Sequence, residues 1–251
     1  MVRSTIAALF AIALLCATPA GAQQRAEGWQ FEMTPYIWFS GISGDVSLPG
    51  GTNESFGADF GDIFDTLKFS AMGVFEARRD RFSLVFDLFY VNLQQGFNSP
   101  NSIAVSGGDV RSRTIEVSAI GLYRIAETPS AFLDLGGGLR AWWIDTEIEA
   151  NAGLLAGRSA SSTTNLVNGV LAARLGTRLT DRTALTLYGD IGGFNINGTM
   201  TWQAIGSFDW QISDSLVSRI GWRHIQIDTQ NGGTSIDLAF SGPFLGLTYR
   251  F

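Results

Sequence analysis

The feature that most constrains this chain is an alternation of apolar and polar residues that returns in ten separate segments. They are WQFEMTPYIWFS (29–40), KFSAMGVFEAR (68–78), FSLVFDLFYVNL (82–93), TIEVSAIGLYR (114–124), AFLDLGGGLRAWW (131–143), NLVNGVLAARLGTRL (165–179), ALTLYGDIGGF (184–194), TMTWQAIGSFDWQI (199–212), LVSRIGWRHIQI (216–227) and SIDLAFSGPFLGLTYRF (235–251). A period of two belongs to strands whose two faces meet different surroundings. The composition says which surroundings. Hydrophobic residues make up 45% and charged residues only 16%, against about 25% charged in an average soluble domain. Yet no apolar stretch after residue 22 approaches the ~20 residues a membrane-crossing helix needs. Apolar residues spread by alternation are the signature of a transmembrane β-barrel.

The connections agree. Those near residues 80, 128, 181 and 214 are short, and those at 41–67, 95–110 and 151–163 are long. Asn197-Gly198 and Asn231-Gly232 are hairpin signals. Short turns on the periplasmic side and longer loops outside are the habit of outer-membrane barrels. Strands can cross lipid only if every backbone group is paired and no edge remains. The expected fold is all-β: one closed, antiparallel, up-and-down barrel of about ten strands, with eight or twelve as alternatives. Pro35 cannot donate to a ladder, so a bulge or strand end is expected there.

Residues 1–22 have a different character. Arg3 precedes an apolar run from Ile6 to Ala17, followed by Pro19 and the small residues Ala20-Gly21-Ala22. This is the pattern of a cleaved secretory signal peptide, which leaves residues 23–251 as the barrel domain. Its removal takes away Arg3 and Cys16, moving the formal charge from −6 to −7 and leaving no cysteine. Disulfides and cysteine-held metals are thereby excluded. An acidic chain without a basic block argues against nucleic acid as a partner.

Three of these segments carry a resemblance. WQFEMTPYIWFSGISGDV, FSAMGVFEARRDRFSLVFDLFY and YRIAETPSAFLDLGGGLRAWW resemble a widespread group of uncharacterised proteobacterial outer-membrane barrel proteins. Leu247, Tyr249 and Phe251 alternate along the last strand. They resemble the C-terminal signal that the barrel-assembly machinery reads in bacterial outer-membrane proteins. The resemblance implies a Gram-negative outer membrane, with lipid and lipopolysaccharide as surroundings. It implies no chemistry and no cofactor.

The alternation also sorts the charges. Glu32, Glu76, Asp87, Glu116, Asp134, Arg140, Arg174, Asp190, Arg219 and Arg223 fall opposite the apolar face, as do Lys68, Arg78, Arg178 and Asp209. In a narrow barrel these side chains meet across the lumen. They either pair and fill it, which is the favoured reading, or line a thin water path like that of a porin. Trp29, Phe82, Tyr123, Trp210, Tyr249 and Phe251 are expected in a periplasmic aromatic girdle. Trp38, Phe39, Tyr90, Trp143, Trp202 and Trp222 are expected in an outer one. Trp38 and Trp142 also have inward parity, which leaves open a sugar-stacking platform. Glycines 137, 169, 189, 193 and 206 fall on the outward face, where they would relieve strain.

One segment breaks the period. In GADFGDIFDTLK (57–68), Phe60, Ile63, Phe64 and Leu67 share one face of a helix. Asp59 suits its N-cap. A short amphipathic helix is expected in the first long connection, as a lid or anchor on the rim or as a plug in the mouth. Its acids, Asp45, Glu54, Asp59, Asp62 and Asp65, do not have the spacing of a calcium loop, so no metal site is expected. A rim-located lipid-modifying enzyme or protease would need a histidine beside a Ser or Asp. The chain has one, His224, whose parity points it at lipid. No catalytic residue is assigned, and the expectation is a monomeric structural or surface protein rather than an enzyme.

Overall fold

The structure, a computed structural model, describes residues 28–48, 52–98, 107–154, 156–196, 198–231 and 234–251. The segment read as a signal peptide lies outside these, as do Asn197, Gly232 and Gly233 of the expected turns. Twelve strands and one helix follow: β1 (Gln30–Trp38), β2 (Gly41–Leu48), β3 (Thr52–Ala58), α1 (Phe60–Thr66), β4 (Leu67–Arg79), β5 (Phe82–Asn98), β6 (Gly107–Glu127), β7 (Ala131–Ala152), β8 (Arg158–Arg178), β9 (Thr183–Ile196), β10 (Thr199–Gln211), β11 (Leu216–Asn231) and β12 (Thr234–Arg250). Ten of them, β1 and β4 to β12, form a closed antiparallel ring in which β1 pairs with both β4 and β12.

The first long connection holds more than the expected helix. The hairpin β2–β3 joins the upper part of β12 outside the ring, with Gly41 opposite Ser241 and Ser47 opposite Ser235. β1 and β2 keep a single register along β12, interrupted around Phe39, which donates its N–H to the Pro243 carbonyl at 2.9 Å. Pro243 has no N–H to return, so the ladder thins there. Pro35 is the last β1 residue paired with β4, opposite Gly73. The expected strand end is therefore an end of one ladder only, because β1 continues against β12. Above it, residues 36–38 and 70–72 form no ladder pairs with each other.

α1 is held by a reciprocal cap. The Asp59 carboxylate accepts from the Asp62 N–H at 3.0 Å, and the Asp62 carboxylate accepts from the Asp59 N–H at 3.2 Å. Phe60 packs edge-on against Phe39, with ring centroids 5.0 Å apart, and Phe64 beside it is half exposed. Phe39 has outward parity, so the helix lies against the outer wall as an anchor rather than in the mouth as a plug.

The stretches 95–110 and 151–163, expected as loops, are largely strand: β5 runs on to Asn98, β6 starts at Gly107, β7 reaches Ala152 and β8 starts at Arg158. Hairpin partners satisfy each other's backbone groups in water as well as in lipid, so nothing obliges a strand to stop at the membrane. Outward cross-strand pairs support the extension, with Arg113 to Asp145 at 2.8 Å and Arg111 to Glu147 at 3.7 Å. These charges also mark where the outward apolar belt ends. On β7 the outward positions run from Leu133 through Leu135 and Leu139 to Trp143. That run has the length of a tilted strand crossing a bilayer, about 9–11 residues.

The glycines that matter most face inward, contrary to the outward list. A Cβ at Gly136 or Gly138 on β7 would strike the carbonyl oxygens of Gly121 and Ala119 on β6. Curling a sheet into a narrow ring crowds its concave side, and there only a hydrogen fits. Gly138→Val is expected to abolish the compact form that migrates fast on an unheated gel, whereas Gly169→Ala, with nothing within 4 Å of its added carbon, should retain it.

Beyond the outward apolar belt, Asp228 stands opposite Asp237, and Asp237 opposite Asp45. Desolvation, and then the charges of Asp228 and Asp45, push the Asp237 carboxyl above its ordinary value. A carboxyl raised by folding binds more protons in the folded state. The ribbon β2–β12–β11 therefore gains stability as pH falls through that raised value, and loses it as pH rises above about 4, the ordinary aspartate range. Amide exchange in β2 and upper β12, corrected for intrinsic rate, should slow on acidification, and Asp237→Asn should remove the difference.

Candidate functional site

Strand alternation aims one side chain in two at the barrel axis, and the ten inward charges Glu32, Glu76, Asp87, Glu116, Asp134, Arg140, Arg174, Asp190, Arg219 and Arg223 all lie in the lumen. They form three linked groups. In the middle, the Arg140 guanidinium clasps both oxygens of Asp190 at 2.7 and 2.9 Å and reaches Glu116 at 3.1 Å. Arg223 lies 2.8 Å from Asp87 and 3.9 Å from Glu116. Gln203 bridges the two arginines, donating to Asp190 at 3.0 Å and accepting from Arg223 at 2.8 Å. Tyr36 donates to Asp87 at 3.0 Å.

Nearer the short turns, Arg174 joins Glu76 at 2.7 Å and Asp134 at 2.8 Å. Arg78 also holds Glu76, at 2.7 Å, and Arg124 holds Asp134, at 2.9 Å. The Arg124 guanidinium stacks 4.1 Å above the Phe132 ring. In the third group Glu32 sits between Arg219 at 3.2 Å and Arg250 at 2.9 Å. Asp209 accepts from Thr186 at 2.9 Å and Ser207 at 2.8 Å.

Tyr36 and Gln203 are uncharged and stand outside the list of inward charges. Arg124 and Arg250 are also missing from it, although Arg124 has the parity of Glu116 on β6 and Arg250 is out of phase with Tyr249 on β12. Lys68 stays exposed and joins no ion pair among the described residues.

Above the central group lies an apolar layer. Trp38, Phe89, Trp142 and Phe240 pack ring against ring, with centroids 5.7 to 6.4 Å apart, among Ile225 and Ile227. Trp38 is therefore a lumen residue, not part of the outer girdle, because β1 carries it at even, inward phase. Neither Trp38 nor Trp142 offers a stacking platform for sugar: both are covered by the layer they form. Arg140 and Trp142 are 1% exposed and Glu116 0%. The lumen is filled at this depth.

Below the central group the barrel is open. A cavity of about 810 Å³ is lined by inward residues such as Thr34, Val85, Ile120 and Phe244, and at its mouth by the turn residues 128–130 and 180–183. It is a vestibule on the short-turn side, ending at Tyr36, Asp87 and Arg223.

His224 faces outward on β11 and stacks 4.7 Å from Trp202, beside Trp222, whose indole donates to Ser241 at 3.0 Å. It hydrogen-bonds no Ser or Asp among the described residues. Nor does any group of three His, Cys, Asp or Glu side chains among them converge to hold a metal.

No protein-family model and no curated protein matches the sequence. Solved structures do. The outer membrane protease OmpT from Escherichia coli superposes with a TM-score of 0.48 at 10% identity, over 89% of this chain and 96% of that one. The translocator domain of the autotransporter NalP from Neisseria meningitidis gives 0.44 at 13%, over 100% and 96%. Ail of Yersinia pestis gives 0.37 at 13%, over 90% and 100%. At these values no activity passes from those proteins to this one.

The central group makes a direct prediction. Arg140→Met removes one cation and strands Glu116 and Asp190 without it. Breaking a buried pair in this way costs about 3–5 kcal/mol. Urea unfolding in micelles should show a loss of that order, and Arg140→Lys, which keeps the charge but not the two-pronged geometry, a smaller one.

Proposed function

We propose that the chain is an integral outer-membrane β-barrel of structural or surface type, monomeric, with a lumen that passes no solute. The observation that carries this reading is the stacked closure of the lumen: a buried layer of ion pairs beneath a packed aromatic one. A porin-like path would require water beside Arg140, Glu116 and Trp142, which are covered on all sides. Support for the membrane itself comes from the outward belt of Leu, Ile, Val and Phe, ended above by charged pairs and rimmed by Trp143, Trp202 and Trp222. In this reading lipid and lipopolysaccharide surround the belt. α1 rests at the outer interface through Phe60 and Phe64. Leu247, Tyr249 and Phe251 are what the assembly machinery recognises during insertion.

The position of His224 favours a non-enzymatic role. It completes an aromatic cluster on the outer face, and Ser241, directly opposite it on β12, has its hydroxyl engaged by the Trp222 indole rather than by His224. What projects outward is strand: the extended β5–β8 sheet on one side and the β10–β11–β12–β2–β3 sheet on the other.

The folded protein reconstituted in planar bilayers is expected to show no discrete conductance steps. Trp38→Ala with Trp142→Ala, which removes half of the aromatic layer, should leave the ionic layer to block alone and still give at most brief, sub-saturating openings. Regular steps from the unaltered protein would replace this reading with the porin-like one.

A further inference from the structure

We propose that the vestibule on the short-turn side is a binding site for a small organic anion carrying carboxylate or phosphate groups. Its size falls within the ~300–1,000 Å³ of ligand pockets, and it has a floor. A solute entering it meets Tyr36, Asp87 and Arg223 and goes no further.

The groups left free on its walls select the sign of the ligand. Eight arginines and six carboxylates line the cavity. Asp134 stands behind the wall, held by Arg124 and Arg174, and Glu116 stands behind Arg223, so the formal charges balance. Hydrogen bonding makes the contrast. Glu76 and Glu32 are each held by two guanidinium groups, which leaves them little capacity to receive a cation. The arginines, with five N–H donors apiece, are far from saturated. Arg219 and Arg250 each give a single hydrogen bond, both to Glu32. The buried Arg219 Nε has no acceptor within hydrogen-bond reach among the described residues. Arg178 and Arg182, on either side of the β8–β9 turn, join no ion pair among the described residues, although Asp181 lies between them in sequence.

The cavity thus has donors on two stretches of its mouth with β10 between them: Arg178 and Arg182 on β8–β9, and Arg219 and Arg250 on β11 and β12. Guanidinium forks match the paired oxygens of carboxylates and phosphates. The rest of the wall carries inward apolar side chains, among them Val85, Ile120, Phe132, Ile205 and Phe244. Such a wall suits a carbon skeleton, which is why the ligand is inferred to be an organic anion rather than a simple inorganic ion.

Isothermal titration of the full folded protein in a zwitterionic detergent tests this, with citrate as the probe and mannitol as the neutral control. Citrate should bind one to one and saturate, and mannitol should give no signal. Raising salt from low to physiological strength should weaken citrate binding, because the mouth arginines are exposed and screened. The double variant Arg178→Ala and Arg182→Ala touches no ion pair and should fold normally, judged by its unheated gel migration. It should bind citrate about tenfold more weakly, the scale of losing charge-assisted hydrogen bonds. No saturable citrate binding to the folded protein, equal binding of mannitol, or undiminished affinity in the folded double variant would each overturn the proposal. Because the readout is binding and not current, its failure is separate from any result of the conductance measurement.

Discussion

The pairing of β1 with β12 is the interaction on which the rest of the molecule depends. Without it the sheet has two free edges, and each unpaired N–H or carbonyl in lipid costs several kcal/mol. With it, Glu32 stands opposite Arg250, Tyr36 opposite Gly246 and Trp38 opposite Phe244, and every inward side chain is committed to a narrow common space. The ionic groups follow from that confinement. Charges brought together with little water must neutralise one another, and the lumen does this with guanidinium groups that each serve two carboxylates. Arg140 joins β6 to β9 in this way, and Arg174 joins β4 to β7. The lumen contents therefore brace the ring across its diameter, at right angles to the backbone ladders that bind neighbour to neighbour.

The sequence carried the ring well because phase is a local property. Each strand states its own inward and outward sets, and Glu116, Arg140 and Arg223 could be placed inside without knowledge of their partners. Two kinds of fact were not local. Partner choice depends on which residues of distant strands share a level, and no count along one strand reveals that Arg174 meets Glu76 across 98 positions of sequence. The limits of the strands were also hidden. Polar stretches such as 158–164 have no apolar face to alternate, so they read as loop although β7 pairs with them residue for residue. The inward glycines were missed for a related reason: the need for hydrogen at Gly136 and Gly138 is created by β6, not by β7.

The vestibule was hidden from the sequence for a third reason. A charge list describes what enters the lumen, not how much space is left over. Large side chains crowd the upper half, where Trp38, Phe89, Trp142 and Phe240 meet. On the lower side the inward positions include Thr34, Ser83, Ser118 and Ala184. This gradient of side-chain volume along the axis makes one end a plug and the other a cup.

The early end of the β1–β4 ladder at Pro35 gives the wall a direction of weakness. Apart from β1–β12, whose own ladder is short but is prolonged by β2, every other junction of the ring has a longer run of backbone pairs. Between residues 36–38 and 70–72, side chains alone hold the two strands together: Met72 and Val74 pack against the aromatic layer. A hoop under tension parts at its thinnest stitch. Any swelling of the barrel is therefore concentrated along this line, directly beneath the short helix that rests on Phe39.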